Sequence, residues 1–376
     1  MAAADIPKEK KVIYNFVGSS GLRVSNICLG CMTFGRSVHL GTPTQQNEDS
    51  SHQIMDRFVQ WGGNFFDTAD IYGPHYSEQI VGRWLERRER DNFVVATKCN
   101  FPIGVAQNRN SVGLSRRHMT ASITGSLQRL HTNYVDIYQT HSWDAGTNIE
   151  ETLRTFDDLV RAEKVRYVGL CNVNGWQLQK IVDTSQRLGL NPVVSLQQQY
   201  SLVCRESELE PFQVCKANGI GVLPWSPLKG GLLTGKVKRG LKPKEGRLAH
   251  VAESKWLKGR GGEAFPQWTR FSDKDFDVLE TTEEIAKEKG RSVAQVAIRW
   301  LLQKDVTTSV IIGATSFAQL NDNMGAANGW SLSQAEMDRL DKVSAVAKFY
   351  PYSSINEGNA QRSNPMARDY VVRSKI

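Results

Sequence analysis

Segments suited to a β-strand alternate with segments suited to an amphipathic helix along most of this chain, and the alternation returns eight times. The strand-like runs, at 25–29, 64–67, 93–98, 134–139, 165–171, 193–197, 221–225 and 310–313, are short and rich in apolar, β-branched and aromatic residues. Between them the apolar residues fall at helical spacing. Ile54, Met55, Phe58 and Val59 share one face of 52–61 before Gly62 and Gly63 stop the helix. Ser77 is placed to cap a helix whose inner face is Ile80, Val81, Trp84 and Leu85, and Thr120 to cap one carrying Ile123, Leu127 and Leu130. Leu153, Phe156, Leu159 and Val160 mark the next, Leu178, Ile181 and Val182 another, and Leu209, Phe212 and Cys215 another. The clearest is the last: Ser292 and Gln295 make a capping box ahead of Val293, Val296, Ala297, Trp300 and Leu301.

Strands that alternate with helices pair in parallel, with right-handed crossovers that place the helices outside the sheet. Eight such units suit a closed ring better than an open sheet. The predicted fold class is therefore α/β, a (β/α)8 or TIM barrel, formed as a single domain over 1–376. An open dinucleotide-binding sheet is the rival, but no G-x-G-x-x-G follows any strand to seat a pyrophosphate there. Ahead of the barrel, apolar 12–16, the turn Gly18-Ser19-Ser20-Gly21 and 22–25 read as an N-terminal hairpin spanning 12–25. Two stretches fit neither period: 236–271, Gly-rich and basic, and the tail 345–376, which carries Phe349, Tyr350, Pro351 and Tyr352 without a helical repeat. Long loops in a compact protein are usually functional, so both are expected as lids near the C-terminal face of the barrel.

Composition removes several function classes. With 40% hydrophobic and 23% charged residues, the chain buries a large core and is not disordered. No apolar run approaches the roughly 20 residues of a membrane span, and MAAADIPKEKKV has no apolar stretch after its charges, so a soluble, cytoplasmic protein is expected. The final Ser374-Lys375-Ile376 differs at one position from the S-K-L peroxisomal address, which makes import there a second expectation. A net charge of +8 is scattered rather than interleaved with aromatic platforms, so nucleic acid is not an expected partner. Six cysteines between Cys28 and Cys215 suit a reducing compartment. Cys28 and Cys31 form a C-x-x-C without a second pair at metal spacing, so no metal site is expected.

Active sites of such barrels lie where strands end, which singles out Asp67 in DTADIYG, Lys98 in VVATKC and His141 in VDIYQTH, with Tyr72 just beyond Asp67. Hydride addition to a carbonyl carbon leaves negative charge on the oxygen, which needs a proton or a donor in place. A tyrosine is a weak acid near pH 10, but a neighbouring ammonium favours its phenolate and lowers that value. Lys98 would do this for Tyr72, Asp67 would serve as its counter-ion, and His141 would position the carbonyl or share the proton. Singly, each residue also fits a structural role, as an ion pair, a mouth aromatic or a core histidine. Together they point to carbonyl reduction. The competing chemistry is a Schiff base on Lys98, which requires a neutral amine that Asp67 works against.

The ordered series LRVSNICLGCMTFG, NFFDTADIYGPHYSEQIVG, YVDIYQTH, GLCNVNGWQL, LPWSPLKGGLLTGK and IIGATSFAQLNDN, covering nearly the whole chain, resembles the aldo-keto reductase superfamily. The branch it resembles includes aryl-alcohol dehydrogenases and potassium-channel β-subunits. The resemblance implies that Asp67, Tyr72, Lys98 and His141 are the catalytic tetrad, with Tyr72 as general acid and base. It implies a nicotinamide site of Met32, Asp67, Cys171, Asn172 and Gln197, with Trp225 stacking on the ring. Ser226, Pro227, Leu228 and Lys236 would hold the pyrophosphate, and Arg247, Gly313, Thr315, Gln319, Asp322 and Asn323 the adenosine end. WSPLKGGLLTGK agrees on physical grounds, since bare backbone amides and lysines suit phosphate oxygens. Two departures stand out: Cys171 occupies a position where the family often has Ser, and 313–323 has no Arg or Lys to clamp a 2′-phosphate. NADPH is implied through Arg247 and Lys236, with NADH left open. Trp143, the 236–271 stretch and the aromatic tail would shape a pocket for an apolar or aromatic aldehyde or ketone. A cofactor-holding partner protein of the channel β-subunit kind is the alternative, against which the intact tetrad speaks.

Overall fold

In a computed structural model, residues 6, 11–35, 45–103, 108–240, 248, 271–347 and 349–359 are described. Eight strands form one parallel sheet: β3 (Ile27–Gly30), β4 (Phe65–Asp67), β5 (Val94–Cys99), β6 (Val135–Thr140), β7 (Val165–Cys171), β8 (Val193–Gln199), β9 (Gly221–Trp225) and β10 (Val310–Ile312). Their order in space is β10-β3-β4-β5-β6-β7-β8-β9. The ring closes between the two end strands, where the Val222 amide donates to the Val306 carbonyl at 3.2 Å and the Thr308 amide to the Val222 carbonyl at 2.8 Å. The predicted (β/α)8 barrel is therefore what forms.

Side chains alternate across each strand, so one set points into the ring and the other toward the helices. Cys28, Phe65, Val94, Ala96, Ile137, Leu223 and Ile311 make one cluster with Val17 and Val24; this is the filling of the ring. The larger cluster, with Phe66, Val95, Tyr138 and Val168, packs against the helices. The hairpin of β1 (Tyr14–Phe16) and β2 (Arg23–Ser25) plugs the end where the strands begin. Asn15 Nδ2 donates to the Thr308 carbonyl at 2.8 Å and the Ser19 amide to the Gly219 carbonyl at 2.7 Å, both just ahead of barrel strands.

The helices are α1 (Glu48–Gln60), α2 (Tyr76–Leu85), α3 (Arg116–Arg129), α4 (Ile149–Arg161), α5 (Gly175–Leu188), α6 (Pro211–Asn218), α7 (Asp273–Lys289) and α8 (Val293–Leu302), then α9 (Phe317–Met324), α10 (Gln334–Val343) and α11 (Tyr352–Asn359). Several starts differ from the sequence expectation, and the caps explain why. Asn47 accepts from the Ser50 amide at 2.9 Å, so α1 begins a turn earlier than 52. Ser115 caps α3, not Thr120. Ser77 caps nothing: its hydroxyl joins Thr68 Oγ1 and the Cys31 carbonyl, each at 2.8 Å, and ties α2 to the barrel mouth. Only half of the Ser292–Gln295 box forms, because the Gln295 amide reaches Asp322 instead. Leu209 ends a short 3-10 turn, and Pro211 opens α6. The tail is not without helix, since α11 lies within it.

Trp84 and Trp300 are among the largest fully buried side chains. Their indole N–H groups donate to Asp56 Oδ1 and Asp341 Oδ1 at 2.9 and 3.0 Å, so each large apolar body is buried without stranding its polar atom. Among the described residues no helix is long and apolar enough to cross a membrane. Arg247, most of 236–271 and the tripeptide 374–376 lie outside the described residues.

Candidate active site

Asp67, Lys98 and Gln139 each stand two residues beyond a filler of the ring, Phe65, Ala96 and Ile137, so the alternation turns all three inward at the C-terminal end of their strands. Register brings them side by side: Asp67 is opposite Ala96, and Lys98 is opposite Gln139. Lys98, with no solvent exposure, donates from Nζ to Asp67 Oδ2 at 2.7 Å, to the Thr68 carbonyl at 2.9 Å and to Tyr72 Oη at 3.2 Å. Its three donors are all used. The second oxygen, Asp67 Oδ1, accepts from Gln197 Nε2 at 2.7 Å and from Gln139 Nε2 at 3.3 Å. A buried charge pair is tolerable only when its remaining lone pairs and protons are satisfied, and here they are.

Tyr72 sits on the turn between β4 and α2, where its amide donates to the Ala69 carbonyl at 3.1 Å. His141 follows β6 and meets the Tyr72 ring edge-on, with centroids 5.5 Å apart. Burial pushes the Tyr72 phenol up to about 12; the Lys98 charge opposes this and Asp67 adds to it. The expected lowering by Lys98 is therefore outweighed, and the phenol keeps its proton. Burial pulls the Lys98 ammonium down, but Asp67 and Tyr72 more than restore it and it stays charged. A neutral amine for Schiff-base chemistry is thus not on offer. Burial, and then the Lys98 charge, hold His141 well below the usual histidine range, so it is neutral. Its Nδ1 is buried without a partner among the described residues. Burial also pushes the Cys28, Cys31, Cys99 and Cys171 thiols up, as expected of inert buried cysteines.

Tyr72 and His141 open on a cleft of about 880 Å³. Every residue implied for the cofactor lines it except Arg247, which lies outside the described residues. One wall carries Trp225, whose Nε1 donates to Asn172 Oδ1 at 3.2 Å, while Asn172 Nδ2 donates to the His141 carbonyl at 3.0 Å. Beyond β9 the chain turns through positive φ at Ser226 (55°), Lys229 (47°), Gly230 (66°) and Gly231 (115°). A side chain on Gly231 would meet nothing within 4 Å, so open space borders the backbone there. At the far end the Thr315 amide and hydroxyl donate to Gln319 Oε1 at 3.0 and 2.8 Å, and Asn323 Nδ2 to the Gly313 carbonyl at 3.2 Å. Asp322 is held by Ser292 and Gln295. An aromatic wall, a loop with bare backbone and a polar end in one long cleft fit a dinucleotide.

The pocket lining differs from the sequence expectation. Neither Trp143 nor the tail residues Phe349, Tyr350 and Tyr352 line this cleft; Trp143 packs on Trp176 with centroids 5.7 Å apart and borders a separate small space with Thr140 and Leu153. Phe101 does line it, its ring 4.9 Å from that of His141. Phe101 and Gln139 are site residues that the motifs do not single out. Gln139 was visible as a polar residue in phase with the inward set of its strand, and Phe101 as an aromatic just past a strand end.

The aldo/keto reductase family model matches residues 26–345. An uncharacterized oxidoreductase of Bacillus subtilis, YrpG, is 34% identical over 83% of this chain and 90% of its own length. An aryl-alcohol dehydrogenase [NADP(+)] of Phanerodontia chrysosporium is 31% identical over 90% of this chain and 87% of its own. Versiconal hemiacetal acetate reductase of Aspergillus parasiticus is 33% identical over 77% and 85%. A match that runs from the first barrel strand to beyond the last shows that the chain belongs to the aldo/keto reductase family and is an NAD(P)H-dependent oxidoreductase.

Proposed function

We propose that this protein reduces aldehydes or ketones with NADPH, reversibly oxidising the corresponding alcohols, and that Tyr72 is the proton donor. The observation that carries the reading is the hydrogen bond at 3.2 Å from Lys98 Nζ to Tyr72 Oη, at the edge of the cleft. Because the ammonium donates to the phenol oxygen, the phenol hydrogen is left to point elsewhere, toward an acceptor in the cleft. A nicotinamide held in this cleft would supply the hydride for the carbonyl carbon. Tyr72 gives its proton to the oxygen as charge develops, and Lys98 stabilises the phenolate that results. Asp67 keeps Lys98 charged and in place. Neutral His141 steers the carbonyl oxygen without competing for the proton. Lys236 on the cleft wall and the NADP(+) in the name of a relative support NADPH over NADH. Phe101 supports an aromatic or apolar substrate.

The test follows NADPH absorbance with purified protein and a panel of aromatic aldehydes and quinones, for wild type and Tyr72→Phe. Turnover should fall by about 10²–10⁴ in the variant while cofactor binding, read by fluorescence, is kept. Tight cofactor binding with no turnover on any substrate would favour a partner-binding protein instead. Since the phenol holds its proton to about 12, Tyr72 should add no alkaline limb to reduction by the free enzyme at ordinary pH.

A further inference from the structure

Behind the Tyr72 turn, on the helix side of the sheet, lie two carboxyls with no solvent exposure, and Arg129 pairs with one of them. Glu78 of α2 is the satisfied one, accepting from Thr97 Oγ1 at 2.6 Å and from Arg129 Nε at 2.7 Å. Asp70 is not. Its Oδ2 accepts from Ser122 Oγ of α3 at 2.7 Å, and its Oδ1 is buried without a partner. Yet Asp70 sits between Asp67 and Tyr72 in the chain, and its backbone is wired to the active site. Its amide donates to the Lys98 carbonyl at 3.2 Å, and its own carbonyl accepts from the His75 amide at 3.1 Å.

We propose that Asp70 is a positioning residue that works as the neutral acid, holding the turn that brings Tyr72 against Lys98, and that its ionisation displaces that turn. The proposal rests on Tyr72 being the proton donor. A protonated carboxyl fits a buried site where Ser122 is the one side-chain donor and Arg129 is already paired with Glu78; a carboxylate there would move toward Arg129 or water to find partners. Burial, with the Glu78 charge adding to it, pushes the Asp70 carboxyl up to about 7, against Ser122, Arg129 and the Ile71 amide. Cys99 of β5 and Tyr138 of β6 also face it; both are held neutral, chiefly by burial. His75, within the same turn, is lowered chiefly by burial.

The folded protein therefore holds this proton more tightly than the unfolded chain, and the associated stability is lost as pH rises from about 4 to about 7. Wild type and Asp70→Asn are compared for kcat, cofactor Kd, melting temperature and the infrared carbonyl band of protonated carboxyls, across this range and above it. Wild-type kcat should fall about tenfold around neutral pH with Kd unchanged, less than the roughly hundredfold that a 1 Å misplacement of a reacting group can cost. Asp70→Asn should be flat, should lack the titrating band and should melt about 2 °C above wild type on the alkaline side. The same inflection in Asp70→Asn, or no carboxyl band titrating near neutrality in wild type, overturns the proposal. If Asp70→Asn does not fold, Ser122→Ala removes the one side-chain partner and must move the inflection upward; an unmoved profile also overturns it. Failure of the proton-donor reading would show separately, as turnover in Tyr72→Phe, which leaves the Asp70 band and melting profile untouched.

Discussion

Phe65, Ala96 and Ile137 fill the ring where the hairpin seals it, and the next inward residues of the same strands are Asp67, Lys98 and Gln139. One pleat separates an apolar plug from an ion pair. The backbone is alike at both places; what differs is what lies over the end of the barrel, Val17 and Val24 on one side and the cleft on the other. The plugged end supplies stability by burying carbon. The open end spends part of it on a charged cluster whose value lies in the chemistry it permits.

Substitutions across this divide should separate the two roles. The largest effect is expected for Lys98→Met, which leaves Asp67 buried without its cation: a loss of about 3–5 kcal/mol in urea unfolding, together with turnover. A variant that unfolds like wild type would mean that the cluster is better hydrated than it looks. Phe65→Ala, one pleat below Asp67, should cost a comparable 3–5 kcal/mol through its cavity while kcat per folded molecule stays near wild type. A large drop in kcat there would show that the two ends are coupled. Next comes Gly18→Ala in the plug. Its φ of 56° disfavours a side chain, and an added Cβ would press on the Gly219 carbonyl and the Gly221 amide. A loss of about 1–3 kcal/mol with unchanged KM is expected in thermal unfolding. The smallest effect should come from Phe101→Ala: about 1 kcal/mol, seen as a five- to tenfold rise in KM for aromatic aldehydes and little change for short aliphatic ones.

The barrel was legible because its signal is repeated: eight apolar runs with helical periods between them allow few arrangements. Asp67, Lys98 and His141 were legible because they are ionisable groups at the ends of otherwise apolar strands. What the sequence does not show is set by tertiary contact. Ser77 looks like a cap, and its hydroxyl is instead drawn to Thr68 and Cys31. Gln295 looks like the second half of a capping box, and Asp322 competes for its amide more than 25 residues away. The Tyr72 proton followed the same rule, since the sequence shows the neighbouring lysine but not the depth of burial that outweighs it. Trp143 lies two residues from His141 in the chain, yet its ring turns to Trp176. Helix α11 rests on residues with no clear period, and one visible tie is Tyr352 Oη donating to Glu210 Oε1 at 2.6 Å.

The ring of strands is clasped between β9 and β10 by two backbone hydrogen bonds at Val222, just ahead of β10. Above that clasp the seam between Trp225 and Gly313 is also where the cleft opens, with residues of both strand ends on its walls. A dinucleotide laid along the cleft would bridge the seam as a rivet bridges two plates. Occupancy would then do mechanical as well as chemical work, drawing the two edges of the barrel into one cooperative unit, and the melting temperature would climb with cofactor concentration relative to its Kd.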